Sequence, residues 1–161
     1  MSERLTHLDE SGRARMVDVG DKPVTAREAT ARGRIRMAQA TLARALSGDT
    51  PKGDIRAIAE IAGVMAGKRT SDLIPLCHPL PLSSLRVDAA PDEAGSAFVV
   101  TACAKTTGQT GVEMEALTAV AITCLTIYDM LKAIDRGMVI EDIALISKSG
   151  GASGDYIRSA P

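Results

Sequence analysis

The chain has 161 residues, 19 basic against 20 acidic, a net charge of −1, and a composition that is 45% hydrophobic but only 2% aromatic. That length suits a single domain whose core is built from Ala, Val, Ile, Leu and Met, and the lack of a basic excess argues against a sequence-independent nucleic-acid binder. Cys77, Cys103 and Cys124 form no Cys-x-x-Cys pair, so a His/Cys metal cluster is not expected and a reducing, cytosolic compartment is.

In chain order, Met1 to Arg15 is charged throughout and includes His7. It has no apolar centre, so it reads as a flexible arm over 1–15 rather than a secretory signal. Ala29, Ala31, Gly33, Ile35 and Met37 alternate with Thr30, Arg32, Arg34 and Arg36, the period of a strand with one wet face. Ala38 to Leu46 reads as a short helix stopped by Gly48. Asp54 is placed to cap a second helix carrying Ile55, Ile58, Ile61, Ala62 and Met65 at helical spacing. Pro75, Pro79 and Pro81 exclude a regular helix from Pro75 to Leu82. Leu85–Ala90 and Ala97–Ala104 form a predicted hairpin around the turn-rich 91–96. Glu113 to Arg136 is the longest predicted helix, and Ile143 to Ser147 a last strand; the segment from Gly150 onward reads as loose.

This order predicts an α+β, ferredoxin-like βαββαβ fold, an antiparallel sheet with helices packed on one face. One domain covers 16–156, and 157–161 is a tail. The longest uncharged apolar run, Ala116 to Tyr128, is 13 residues, shorter than the roughly 20 a bilayer span needs. Its helix is apolar around most of its circumference. One sheet covers only one side, so the other is expected to be covered by a second subunit.

Four constellations carry candidate chemistry, and together they point to a small soluble enzyme for an anionic, phosphorylated substrate. His78 lies in the proline-bracketed segment Ile74 to Leu80, where a group that titrates near neutrality is held at little entropic cost; the plain alternative is a structural histidine. In an extended segment Cys77 would face away from it and read as a structural thiol. Lys105 to Glu115 forms a strand, a Gly/Thr loop and a helix start, a possible anion cradle without the spacing of a P-loop. Its Glu113 and Glu115 are either ordinary first-turn acids or acceptors for a guanine-like edge. Asp129 and Lys132 share a helix face, as a surface ion pair or a proton-transfer pair. Lys52, Lys68 and Lys148 stand at element ends near Gly and Ser, where phosphate could be held. Glu115 and Asp129 are fourteen residues apart, about 21 Å along a helix. If both act, one site shared by two subunits is expected.

These segments together resemble one family. IPLCHPLPL, TGQTGVEMEALTA, LTIYDMLKA and KSGG, with MVDV, KPVTAREA, PKGD and GKRTSDL, are similar to the motifs of the cyclic pyranopterin monophosphate synthases, the MoaC-type proteins of molybdenum cofactor biosynthesis. The resemblance runs from about Met16 to Tyr156. It implies a ferredoxin-like fold in a homohexamer built from dimers with interfacial active sites, and a cytoplasmic enzyme that needs no organic cofactor. A divalent metal accompanying the triphosphate is left open. The implied substrate is 3′,8-cyclo-7,8-dihydro-GTP, supplied by a partner radical-SAM GTP cyclase. By matching motifs, Leu76, Cys77, His78, Met114 and Glu115 would line the substrate site and Glu113 would contact the base. Asp129 would be the catalytic acid/base and Lys132 its proton partner, with Lys52, Lys68 and Lys148 at the phosphates. Gln109 and Ala152 stand where the family commonly has basic residues, so the resemblance implies no phosphate contact from these two positions.

Two other classes compete. A non-catalytic metabolite-binding module would bind without turnover. An RNA-binding ferredoxin-like domain needs stacking aromatics, and the aromatics here are Phe98, Tyr128 and Tyr156 alone.

Overall fold

A computed structural model describes residues 8–9, 11–48 and 53–159. The elements are β1 (Thr25–Arg36), α1 (Gln39–Leu46), α2 (Ile55–Gly67), α3 (Thr70–Leu73), β2 (Leu82–Asp92), β3 (Ala97–Gly108), α4 (Glu113–Leu131), β4 (Val139–Ser149) and β5 (Tyr156–Ile157). The sheet order is β2-β3-β1-β4-β5 with every pairing antiparallel. Its first four strands have the ferredoxin-like arrangement expected from the element order.

The alternation in β1 sets the sheet's two faces. Ala29, Ala31, Gly33 and Ile35 are buried while Arg32 and Arg36 are exposed. β3 continues the inner face with Phe98, Val100, Ala102 and Ala104, each fully buried. With so few aromatics, small residues let the helices sit close on the sheet, and Phe98 is the largest fully buried side chain. The outer face is polar: Arg34 pairs with Asp92 and Glu141, and Arg36 with Glu141. β4 carries a bulge opposite Gly33, where the register shifts between Arg32 and Arg34 and Asp142 takes φ 57.

α4 is the hub. Ala116, Ala119, Val120, Cys124, Ile127 and Leu131 are buried along it. By length and composition it would suffice to cross a membrane, but it packs on β1, β3 and β4 and against α2, which lies beside it on β2. α2 thus shields one flank of α4 from within the same chain, while Leu125 on the helix stays exposed. Gly63 and Gly67, one helical turn apart on α2, make the close approach possible. A Cβ on Gly63 would overlap Thr123 Oγ1 and stand 3.0 Å from the Ala119 carbonyl, and one on Gly67 would stand 3.2 Å from the Glu115 carbonyl. The C-terminal end of α2 therefore meets the N-terminal end of α4.

Other boundaries moved for local reasons. α4 stops at Leu131, not Arg136, with Lys132 as its C-cap. Asp135 is drawn off to cap α1, whose own N-cap Ala38 offers no side chain. The Asp135 carboxylate accepts from Ala38 N at 3.0 Å, Thr41 Oγ1 at 3.0 Å and Gly137 N at 2.8 Å. Beyond Gly150 the chain is not simply loose, since Tyr156 and Ile157 pair with Lys148 and Ser147.

Candidate active site

A pocket of about 330 Å³ lies at the N-terminal end of α4, within the size range of small-molecule sites. Three pieces of chain converge on it. The proline-bracketed loop before β2 contributes Leu76, Cys77, His78 and Leu80, the Gly/Thr loop and first turn of α4 contribute Thr110, Gly111, Glu113, Met114 and Glu115, and the segment before β1 contributes Val17, Val19 and Lys22. A larger cavity of about 570 Å³ opens on the outer sheet face beside Arg32, Arg34, Asp142 and Arg158. The smaller pocket is the stronger candidate, because a histidine and two carboxylates converge in it on rigid loops.

His78 Nε2 lies 2.8 Å from the Val17 carbonyl. A carbonyl can only accept, so Nε2 carries the proton, and in the neutral ring Nδ1 is left as an acceptor. Cys77 lines the same pocket, contrary to the extended reading that turned it away from His78. The chain turns at this point, with Cys77 N donating to the Ile74 carbonyl at 3.1 Å. Burial, reinforced by Glu115, pushes the Cys77 thiol above its ordinary range, so it stays a thiol rather than a thiolate nucleophile.

Glu115 is 5% exposed. Burial raises its pKa, the nearby Glu113 raises it further, and a hydrogen bond from its own backbone N–H at the helix start works in the opposite direction. The Glu113 carboxylate lies 3.6 Å from Lys148 Nζ, and that ammonium also donates to Ser153 Oγ. Gly150 and Gly151, at φ 85 and 84, turn the chain tightly after Lys148. A Cβ on Gly150 would run into the Ala26 carbonyl and one on Gly151 into the Arg27 guanidinium. Arg27 donates from Nε to the Gly108 carbonyl at 2.9 Å and from Nη2 to the Gln109 carbonyl at 3.1 Å. The glycine turn and the Gly/Thr loop thus share one guanidinium.

The sequence-derived candidates divide in space. Leu76, Cys77, His78, Glu113, Met114 and Glu115 share the pocket, with Lys148 joined to it through Glu113. Lys68 is exposed and caps α2 at the same end of the fold. Asp129 and Lys132 lie at the opposite end of α4, where Asp129 Oδ1 and Lys132 Nζ are 2.7 Å apart with side chains 62% and 55% exposed. Lys52 and His7 fall outside the described residues. Sequence reasoning named no residue of the segment before β1, although the family-like stretches MVDV and KPVTAREA contain Val17, Val19 and Lys22. Among the described residues, no group of three His, Cys, Asp or Glu side chains is placed to hold a metal ion.

Comparison with known proteins bears on the same residues. The MoaC family model matches residues 16–151. The cyclic pyranopterin monophosphate synthase of Roseiflexus sp. is 63% identical over 154 residues, spanning 96% of this chain and 98% of that protein. Its namesake in Chloroflexus aggregans is 61% identical over 156 residues, 97% of this chain and 94% of that protein. A third, from Parvibaculum lavamentivorans, is 57% identical over 155 residues, with 96% and 97% covered.

Proposed function

From the premise that this chain belongs to the MoaC family, we infer that it is a cyclic pyranopterin monophosphate synthase acting in molybdenum cofactor biosynthesis. It converts 3′,8-cyclo-7,8-dihydro-GTP to cyclic pyranopterin monophosphate and pyrophosphate. The observation that carries the reading is the pocket at the start of α4, where His78, Glu113 and Glu115 meet beside Lys22.

The chemistry asks for proton transfers as the purine opens and the pterin closes. A hydroxyl then attacks the α-phosphorus, its proton leaves, and the bond to the bridging oxygen of the departing pyrophosphate breaks. Carboxylates such as Glu113 accept from the N–H donors of a guanine-like edge. Glu115, whose pKa burial raises, stands beside Glu113 as a second carboxyl group on that edge. His78, with Nε2 committed to Val17, presents Nδ1 to the ligand beside Leu76, Cys77 and Met114. Lys68, Lys148 and Lys52 supply positive charge for the triphosphate and its leaving group. Asp129 is the acid/base, and Lys132, 2.7 Å away, is its proton partner. No organic cofactor is required, and any divalent cation enters with the triphosphate as part of the substrate.

The separation of about 21 Å along α4 between Asp129 and Glu115 supports a complete site formed at the contact of two subunits, in a homohexamer built from dimers. Exposed Ile58, Ile61 and Met65 on α2 and Leu125 on α4 provide apolar surface suited to such contacts. The enzyme works in the cytoplasm, downstream of a radical-SAM GTP cyclase. Incubation of the purified protein with the cyclised dihydro-GTP is expected to release pyrophosphate and the cyclic pterin in equal amounts. A folded, oligomeric preparation that binds this compound but yields neither product would overturn the assignment in favour of a binding module.

A further inference from the structure

We propose that Gln109 is a positioning residue for this reaction, clamping the segment 17–22 so that it forms one wall of the pocket. The proposal rests on the synthase reading above. Segment 17–22 belongs to no helix or strand, yet Val17, Val19 and Lys22 line the pocket. An internal turn shapes it: Lys22 N donates to the Val19 carbonyl at 3.0 Å and Gly20 N to Asp18 Oδ1 at 2.9 Å. Side chains from the rest of the pocket hold it in place. His78 donates to the Val17 carbonyl, and Gln109 Nε2 donates to the Gly20 carbonyl at 2.8 Å and the Lys22 carbonyl at 3.2 Å.

The residue type suits the task. A primary amide carries two N–H donors on one nitrogen and can serve two carbonyls at once, whereas a carboxylate has no donor to offer them. Gln109 is itself fixed from behind, because its carbonyl and that of Gly108 both accept from Arg27. The amide is therefore spent on the wall rather than left for a phosphate. Lys22 is the one lysine or arginine among the lining residues described, and the carbonyl that Gln109 holds is its own. Losing the clamp should release that ammonium from the site without touching the reacting groups.

The test uses the full-length oligomer and three variants, Gln109→Ala, Gln109→Met and Gln109→Glu. Met keeps the length of glutamine and removes its donors. Hydrogen–deuterium exchange of the peptide spanning 16–24 reads the clamp directly and does not depend on turnover. All three variants are expected to speed exchange there while leaving β1 and β3 unchanged. KM for the cyclised dihydro-GTP is expected to rise about tenfold, the size of two lost neutral hydrogen bonds, with kcat within about twofold. Adding Lys22→Ala to Gln109→Met should raise KM little beyond Lys22→Ala alone, since both act through one ammonium. Wild-type exchange in Gln109→Met would overturn the proposal, because side-chain bulk rather than hydrogen bonding would then hold the wall. Fully multiplicative KM effects would also overturn it. If the unmutated protein makes no product, the synthase reading fails, and the exchange result alone decides whether Gln109 is the clamp.

Discussion

At the scale of single residues, burial and exposure separate two kinds of candidate acid. Asp129 and Lys132 form an exposed i,i+3 pair, and such pairs contribute at most about 1 kcal/mol to stability. Asp129→Asn should therefore unfold in urea within about 1 kcal/mol of the parent while losing at least about a hundredfold in kcat. An equal loss of both would mean the residue is structural. Glu115 behaves oppositely. Its folded-state pKa is raised above the ordinary value of 4.5, chiefly by burial, so the folded protein holds this proton to higher pH than the unfolded chain. Stability attributable to the group then falls as pH rises through that interval. Glu115→Gln, which is neutral at every pH, is expected to melt a few degrees above the parent near pH 7 and to converge with it below about pH 4. A constant offset across that range in calorimetry would contradict this account.

At the scale of elements, the α2–α4 contact and the cap of α1 each depend on one or two residues. Gly63→Ala gains about 1 kcal/mol of helix propensity but must push α2 away from Thr123 and the Ala119 carbonyl, a clash of about 1–3 kcal/mol. The expected outcome in thermal unfolding is a net loss, partly recovered by adding Thr123→Ala. Asp135 has its pKa lowered by the hydrogen bond from Ala38 N first, then by those from Gly137 N and Thr41. Its contribution is thus present above the ordinary carboxylate range and is lost as pH falls through the lowered value. Asp135→Ala should cost about 1 kcal/mol near neutrality, as lost caps do, and the cost should shrink in acid. Neither device was legible in the sequence. A glycine that permits helix approach looks like any helix-weakening glycine, and Asp135 caps a helix that begins 96 residues before it. The strand alternation of β1, by contrast, could be read in advance, because it records local geometry.

At the scale of the whole molecule, the distance along α4 separates the pocket from Asp129 and Lys132. If the site is shared, mixing His78→Ala with Asp129→Ala protomers should restore activity, since a mixed dimer holds one intact site. Random exchange makes about half the dimers mixed, so recovery should approach about a quarter of the wild-type rate. Absence of recovery after proven subunit exchange would place all catalytic groups of a working site on one chain.

The sequence by itself determined the element order, the two faces of β1, the antiparallel ferredoxin-like sheet and the motifs that carry the family. All of these are written in periodicity and turn chemistry over neighbouring residues. It also singled out His78, Glu113 and Glu115 as site candidates, because rigid loops and helix starts announce themselves locally. Only the tertiary structure decided that Cys77 shares the pocket with His78, that α2 shields one flank of α4, and that Val17, Val19 and Lys22 wall the pocket. The wall depends on contacts between residues 61 and 89 positions apart, His78 with Val17 and Gln109 with Gly20, and no local pattern encodes which distant carbonyl a side chain will find.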